Sequence, residues 1–317
     1  MQSIPTEPTA CPVCGPAASA DFSFQARDRL HGLGGEFSYF KCQGCGVVFQ
    51  NPRVQPDAAL DVYPQDYIAH VPVQPKRGLP ALTKNAMRWL RGAALPAHIT
   101  RGLGSHSRVL DVGCGAGEFL NDVRQRFGCE VSGLDLSESS KRAAKEGFGI
   151  DVFCGSLAQA PWAPGSFDLV TSWWSLEHMP NPADSVARMG RLLRDGGQLL
   201  IAVPNAQSAV AKLFGNRWYH LDCPRHYHLW TPASLRKLVE REGLSHQLTT
   251  FDKSPWGLLG SLQYVVFGDN YHAGKTDKLR GNVKVAPLFL PLTFALGLMH
   301  YSDTMVAVFT KQSAKLG

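Results

Sequence analysis

Short apolar runs and helical-period stretches alternate along the last two thirds of the chain. Residues 109–112 form a run of branched apolar side chains interrupted only by Asp111, the pattern of a buried parallel strand. Phe119, Leu120 and Val123 follow at helical spacing. The same alternation predicts strands at 131–135, 150–153, 165–172, 198–203, 245–251 and 304–310, with helices at 139–146, 183–193 and 232–242 between them. Ser137 sits where the first of these helices needs an N-cap. Strands separated by single helices predict an α/β fold, with a doubly wound, mostly parallel seven-stranded sheet.

The flanking regions break this rhythm. Residues 51–82 are rich in proline and carry Tyr63, Tyr67 and His70, which reads as a connector, and 83–95 reads as an amphipathic helix leading into the main domain. Near the C-terminus the runs 254–268 and 285–300 hold no Asp, Glu, Lys or Arg. Neither is long enough to span a bilayer, which takes roughly 20 residues, and Pro287 and Pro291 interrupt the second. The expected organisation is a small module at 1–50, a connector at 51–84 and a main domain at 85–317. Within the main domain, 205–231 is expected to form a lid over the substrate and 253–302 an apolar insertion. That insertion is expected to pack on the sheet, form a dimer face, or touch a membrane as a peripheral lid.

The most informative stretch is Asp111-Val112-Gly113-Cys114-Gly115-Ala116-Gly117, directly after the first strand. Glycines let the backbone approach a ligand with φ > 0, and the helix that starts there favours an anionic group. A dinucleotide fingerprint would need glycine at position 118, which is Glu118. The pattern instead resembles the first motif of class I S-adenosylmethionine-dependent methyltransferases, so the fold is expected to be Rossmann-like. The resemblance implies that Asp111, Gly113, Gly115 and Gly117 hold the methionine end of the cofactor. It also implies that Asp135, with Leu136 beside it, holds the ribose. Ser156 and Leu157 stand where the family contacts adenine, with serine replacing the commoner aspartate.

Composition narrows the class of partner. The chain has 317 residues, 32 basic and 26 acidic, for a net charge of +6. This is a mild excess without a basic block, so nucleic acid is not an expected partner. The N-terminus shows no signal-peptide pattern, so the protein is expected to be cytoplasmic, either free or peripheral to the inner face of a membrane. Four of the eight cysteines form two Cys-x-x-Cys-Gly pairs, Cys11/Cys14 and Cys42/Cys45. Doubled spacing of this kind predicts a structural zinc site with four sulfur ligands that staples a segment too small to hold a core of its own.

Two stretches carry candidate chemistry. Leu176-Glu177-His178 resembles a motif of small-molecule methyltransferases such as those of ubiquinone biosynthesis, which makes His178 a candidate general base. Some relatives bind a divalent ion with an acidic residue three places earlier, but Trp174 stands there, so no catalytic metal is expected. The second stretch, residues 218–230, packs three histidines, an arginine and four aromatics into one loop. Its Pro-Arg-His core resembles methyltransferases of sugar and surface-polysaccharide pathways. Here His226 and His228 are candidate bases, Arg225 a candidate clamp for a phosphate or carboxylate, and Tyr219 a candidate acceptor contact. The function expected is methyl transfer to a small molecule, at a hydroxyl of a sugar, quinone or lipid-linked intermediate. The alternatives are a C-methyltransferase on a nucleotide-linked deoxysugar, an RNA methyltransferase and a non-catalytic cofactor-binding protein.

Overall fold

A computed structural model describes residues 4–63, 95–269, 279, 282 and 284–313. Tyr67, His70 and the helix expected at 83–95 lie outside the described residues, apart from its last residue. Two sheets organise the chain. The smaller has four strands, and three of them come from the N-terminal segment: β2 (Ala20–Ala26), β3 (Phe37–Cys42) and β4 (Val48–Gln50). A separate ladder pairs β1 (Thr6–Glu7) with β5 (Arg53–Val54). Tyr39 and Phe49 bury their rings almost completely, while the outer strand β2 exposes most of its residues.

The larger sheet follows the predicted alternation. In chain order its elements are β6 (Arg108–Val112), α2 (Glu118–Phe127), β7 (Glu130–Asp135), α3 (Glu138–Phe148), β8 (Val152–Cys154), β9 (Phe167–Trp173), α4 (Pro182–Leu192) and β10 (Leu193–Pro204). The helix α1 (Ala97–Gly102) precedes them. The short helix α5 (Ala209–Phe214) and the two-residue strand β11 (His228–Leu229) lie in the expected lid. Then come α6 (Pro232–Arg241), β12 (Leu244–Phe251), α7 (Trp256–Phe267), α8 (Ala286–Leu298) and β13 (Thr304–Lys311). The spatial order is β12-β13-β10-β9-β6-β7-β8, with β13 antiparallel to both neighbours and the other pairs parallel. This is the doubly wound, mostly parallel seven-stranded sheet.

Strand order reverses between β6 and β9, because β7 and β8 extend the sheet one way and β9 and β10 the other. A crevice opens at such a point at the carboxyl ends of the strands. The strands there are apolar on both faces, as two covering layers require. Val109, Leu200 and Val308 face one layer, and Leu110, Leu199 and Phe309 the other.

The two sheets are not independent. Strand β11, from the expected lid, pairs with β4 and so completes the N-terminal sheet: His228 lies opposite Phe49, and Leu229 opposite Val48. The N-terminal segment is therefore built into the lid through backbone hydrogen bonds, which sequence spacing alone did not indicate.

Candidate active site

The glycine turn at the end of β6 lies at the crevice. Gly113, Gly115 and Gly117 all have positive φ, and Gly117 caps the start of α2. A Cβ built on Gly113 would lie 2.2 Å from Ser175 Oγ, so the turn and the loop after β9 meet with no room for a side chain. At the end of β7, the Asp135 carboxylate accepts from the backbone N–H of Gly115 and of Ser137, both at 2.9 Å. These bonds aim the carboxylate at the crevice while leaving lone pairs for two further donors. Leu136, next in the chain, is 59% exposed at the lip. Ser156 and Leu157 follow β8 on the same edge, where Ser156 and Gln159 form a capping box.

Asp111 stands apart from that group. It is buried between β6 and β9 and accepts 2.7 Å from the Thr171 hydroxyl. Burial, opposed by that bond and aided by the Asp135 charge, pushes its carboxyl up to about 7. The geometry gives it a place beneath the glycine turn, tying β6 to β9, rather than the direct cofactor contact expected of it.

The loop after β9 turns sharply. Trp174 adopts φ 48°, a rare conformation for a bulky side chain, and its N–H donates to Ala202 O at 2.8 Å. A short 3-10 turn, Leu176–His178, follows. His178 Nδ1 lies 3.1 Å from Arg225 O and 2.8 Å from the Tyr63 hydroxyl. In the tautomer with the proton on Nδ1 the ring donates to that carbonyl, and Nε2 keeps its lone pair. Burial, opposed by the Asp222 charge and by the Arg225 carbonyl, brings this imidazole down to about 4, so it is neutral across the physiological range.

Behind His178 stands His226, with ring centroids 4.5 Å apart and ring planes near perpendicular. His226 is buried, its Nδ1 is 2.9 Å from His220 O, and burial together with His178 keeps it neutral. It is a wall for His178, not a second base open to an acceptor. Glu177 completes the cluster. It is 1% exposed, neither carboxyl oxygen has a hydrogen-bond partner among the described residues, and burial pushes it up to about 8, with Asp222 adding to the rise. Ligand atoms of Glu177, His178 and His226 lie within 4.8 Å of one another.

Three expectations for the lid change. Arg225 does not clamp a substrate: its side chain is buried and its N–H groups go to Asp28, Asp222, Val62 O and Cys223 O. A guanidinium closed in this way has no donor left over for an incoming anion. His228 is no base either. It is 2% exposed in β11, and burial, with the Arg53 charge adding to it, lowers it to about 3. Tyr219 stacks on Tyr264 of α7, and its N–H donates to Ser261 Oγ at 2.9 Å. The shared reason is that these polar residues hold the lid to its neighbours. Sequence reasoning missed Asp28, which stands alone between β2 and the next turn without a motif. Tyr63 stood out only as an aromatic of the expected connector, yet its hydroxyl reaches the candidate base.

The four cysteines Cys11, Cys14, Cys42 and Cys45 converge. All four Sγ atoms lie within 4.8 Å of one another, and Cys11 and Cys45 are 3.6 Å apart. Tetrahedral zinc with bonds near 2.3 Å places sulfurs about 3.8 Å apart, so the quartet fits that ion. Each pair ends on a positive-φ glycine, Gly15 or Gly46, whose N–H donates 2.9 Å back to the first cysteine's carbonyl. The Cys14 N–H donates 3.2 Å to Cys11 Sγ, as suits a thiolate ligand. The α6 helix backs the quartet, with Lys237 Nζ 3.5 Å from Cys14 Sγ and Arg241 donating to Val13 O.

Comparison with known proteins agrees with this geometry. Residues 85–247 match the model of a methyltransferase domain family. A ubiquinone biosynthesis O-methyltransferase from Thiobacillus denitrificans is 34% identical over 161 residues, which cover 47% of this chain and 69% of that protein. Its counterpart from Nitrosococcus oceani is 39% identical over 104 residues, covering 31% of this chain and 44% of that protein. A structure assigned as a sarcosine dimethylglycine methyltransferase from Galdieria sulphuraria superposes with a TM-score of 0.51 at 17% identity, over 73% of this chain and 86% of that one. At that identity the likeness concerns the fold alone. The glycine turn, Asp135 and the sheet order thus belong to a methyltransferase domain, and the chain is a member of the class I S-adenosylmethionine-dependent methyltransferases.

Proposed function

We propose that this protein transfers a methyl group from S-adenosylmethionine to a hydroxyl oxygen of a small-molecule acceptor, with His178 as the general base. The observation that carries this reading is the pairing of the His178 Nδ1–H with Arg225 O, which leaves Nε2 free to take a proton. Bound S-adenosylmethionine supplies an electrophilic methyl on a positive sulfur. The protein's part is to align the acceptor and remove its proton. With S-adenosylmethionine held at the crevice, Nε2 would take the acceptor's hydroxyl proton as its oxygen receives the methyl group and the cofactor leaves as a neutral thioether. Positive charge leaves the sulfur as it appears on the imidazole, which the Asp222 carboxylate favours.

The base also restricts the acceptor. An imidazole lowered to about 4 is weak, so it suits an acidic hydroxyl such as a phenol, near pKa 10, better than a sugar alcohol. The two relatives named as ubiquinone biosynthesis O-methyltransferases support a phenolic acceptor of that kind. Asp135, with Leu136 beside it, would hold the cofactor ribose, and Ser156 and Leu157 would flank the adenine. The cysteine quartet would hold a structural zinc closed to solvent ligands. Labelled methyl transfer from S-adenosylmethionine to three acceptor sets, polyhydroxylated aromatics, nucleotide sugars and RNA, tests the reading. Label on aromatic oxygen supports it; label confined to RNA or to sugar carbon overturns it.

A further inference from the structure

Helix α8, Ala286–Leu298, carries no charged residue and is apolar around its circumference except at Thr293. Such helices are ordinarily buried or in contact with lipid. This one buries only a narrow strip. Ala286, Thr293 and Gly297 face inward, Thr293 Oγ1 donates to Lys253 O at 2.8 Å, and a Cβ on Gly297 would strike Asp252 O. The opposite face is open: Leu288 is 77% exposed, Leu292 51%, Leu298 63% and Met299, just past the helix, 56%. At 100° per residue these positions, with Pro287, Pro291, Phe294 and Ala295, form one continuous exposed arc without a polar side chain.

We propose that this face docks on the surface of a bilayer containing anionic lipid, with α8 lying in the plane of the headgroup–acyl boundary. Two observations favour lipid over a second copy. The helix is about 20 Å long and 10 Å wide, which offers roughly 200 Å² of contact, far below the roughly 800 Å² per partner of a stable dimer. The charges around it suit an anionic surface. Lys284 lies exposed one turn before Leu288, and Lys212 sits over the Tyr301 ring at the other end. Among the described residues, the carboxylates of the flanking segments are withdrawn from the surface: Asp252 and Asp303 are buried and Asp269 is paired with Arg27 and Arg29. No helix among the described residues is long and apolar enough to cross a membrane. The same apolar insertion holds the lid, since α7 stacks Tyr264 on Tyr219, so docking would bring the lid close to lipid.

The test is co-flotation of the full chain with vesicles of phosphatidylcholine alone and of phosphatidylcholine with phosphatidylglycerol. S-adenosylmethionine calorimetry serves as the check on folding. Wild type should float with the anionic vesicles, and a Leu288→Asp, Leu292→Asp double variant should lose at least tenfold in bound fraction while binding cofactor as before. Lys284→Glu should lower binding to anionic vesicles only. Failure of wild type to float with either vesicle overturns the proposal. So does a wild-type dimer in sedimentation that the same double variant converts to monomer. Neither readout depends on the acceptor or on turnover.

Discussion

Asp28 and Arg225 form a bidentate pair, Oδ2 to Nη1 and Oδ1 to Nη2, both at 2.9 Å, with neither side chain exposed. The first residue follows the strand β2 and the second lies in the lid, 197 positions away. Tyr39 adds a bond from its hydroxyl to His226 O, and Gln50 donates to Pro224 O. The N-terminal segment thus fixes the loop that supplies the carbonyl opposite His178 Nδ1. Losing Asp28 leaves Arg225 paired with Asp222 but strands two buried guanidinium N–H groups without their acceptor, which costs on the order of 3 kcal/mol. Asp28→Ala is expected to lower unfolding stability by that order in chemical denaturation, and to slow methyl transfer more than it weakens cofactor binding. Equal loss of both would show that the pair supports the whole domain rather than the lid.

Asp135→Ala removes the carboxylate that positions Gly115 and faces the crevice. Loss of two charge-assisted hydrogen bonds to a ribose corresponds to roughly 10- to 100-fold weaker binding, about 1.4–2.8 kcal/mol. Calorimetry should show that loss with the thermal transition little changed. Unaltered affinity would move the ribose site elsewhere on the strand edge.

Glu177 offers a pH test with a defined sign. Its folded value, about 8, lies above its ordinary 4.5, so the fold keeps it protonated while the unfolded chain ionises. Stability from this group is complete below pH 4.5 and falls as pH rises through 8. Glu177→Gln should therefore stabilise the protein more at pH 8 than at pH 4.5, by on the order of 3 kcal/mol. His228 acts in the opposite window. Its folded value of about 3 lies below its ordinary 6.5, so stability is complete above 6.5 and is lost as pH falls toward 3. Melting temperatures of Glu177→Gln and His228→Phe from pH 4.5 to 8 should separate the two effects.

The cysteine quartet predicts one zinc per chain by elemental analysis, and a large drop in melting temperature on chelation. Cys11→Ser or Cys45→Ser should lower the zinc content in the same way. Full stability in the metal-free protein would mean that the sheet and the Asp28–Arg225 pair suffice to hold the segment.

Much of the main domain was legible in sequence because its signals are local. A parallel strand buried on both faces reads as an apolar run, and three glycines in five residues have few uses other than a close backbone approach to ligand. The cysteine pairs were equally plain, since two knuckles need the same short spacing. The lid was not legible. Histidine, arginine and tyrosine side chains in one loop look the same whether they face a substrate or bind the protein itself. Only the partner, such as Asp28 for Arg225 or Tyr264 for Tyr219, tells the two apart. Those partners are distant in sequence and carry no motif. The pairing of β11 with β4 was hidden likewise, because a two-residue strand has no period to detect.

The most direct test of the account compares wild type and His178→Ala for S-adenosylmethionine affinity and for labelled methyl transfer to a phenolic acceptor across pH. Wild-type turnover should hold from pH 8 down through 6.5 and fall only near pH 4, where His178 gains its proton. The variant should bind cofactor as wild type does and lose turnover about 100-fold or more. A variant that stays fully active, or a wild-type profile that falls at 6.5, would contradict the assignment of the buried, neutral His178 as the base.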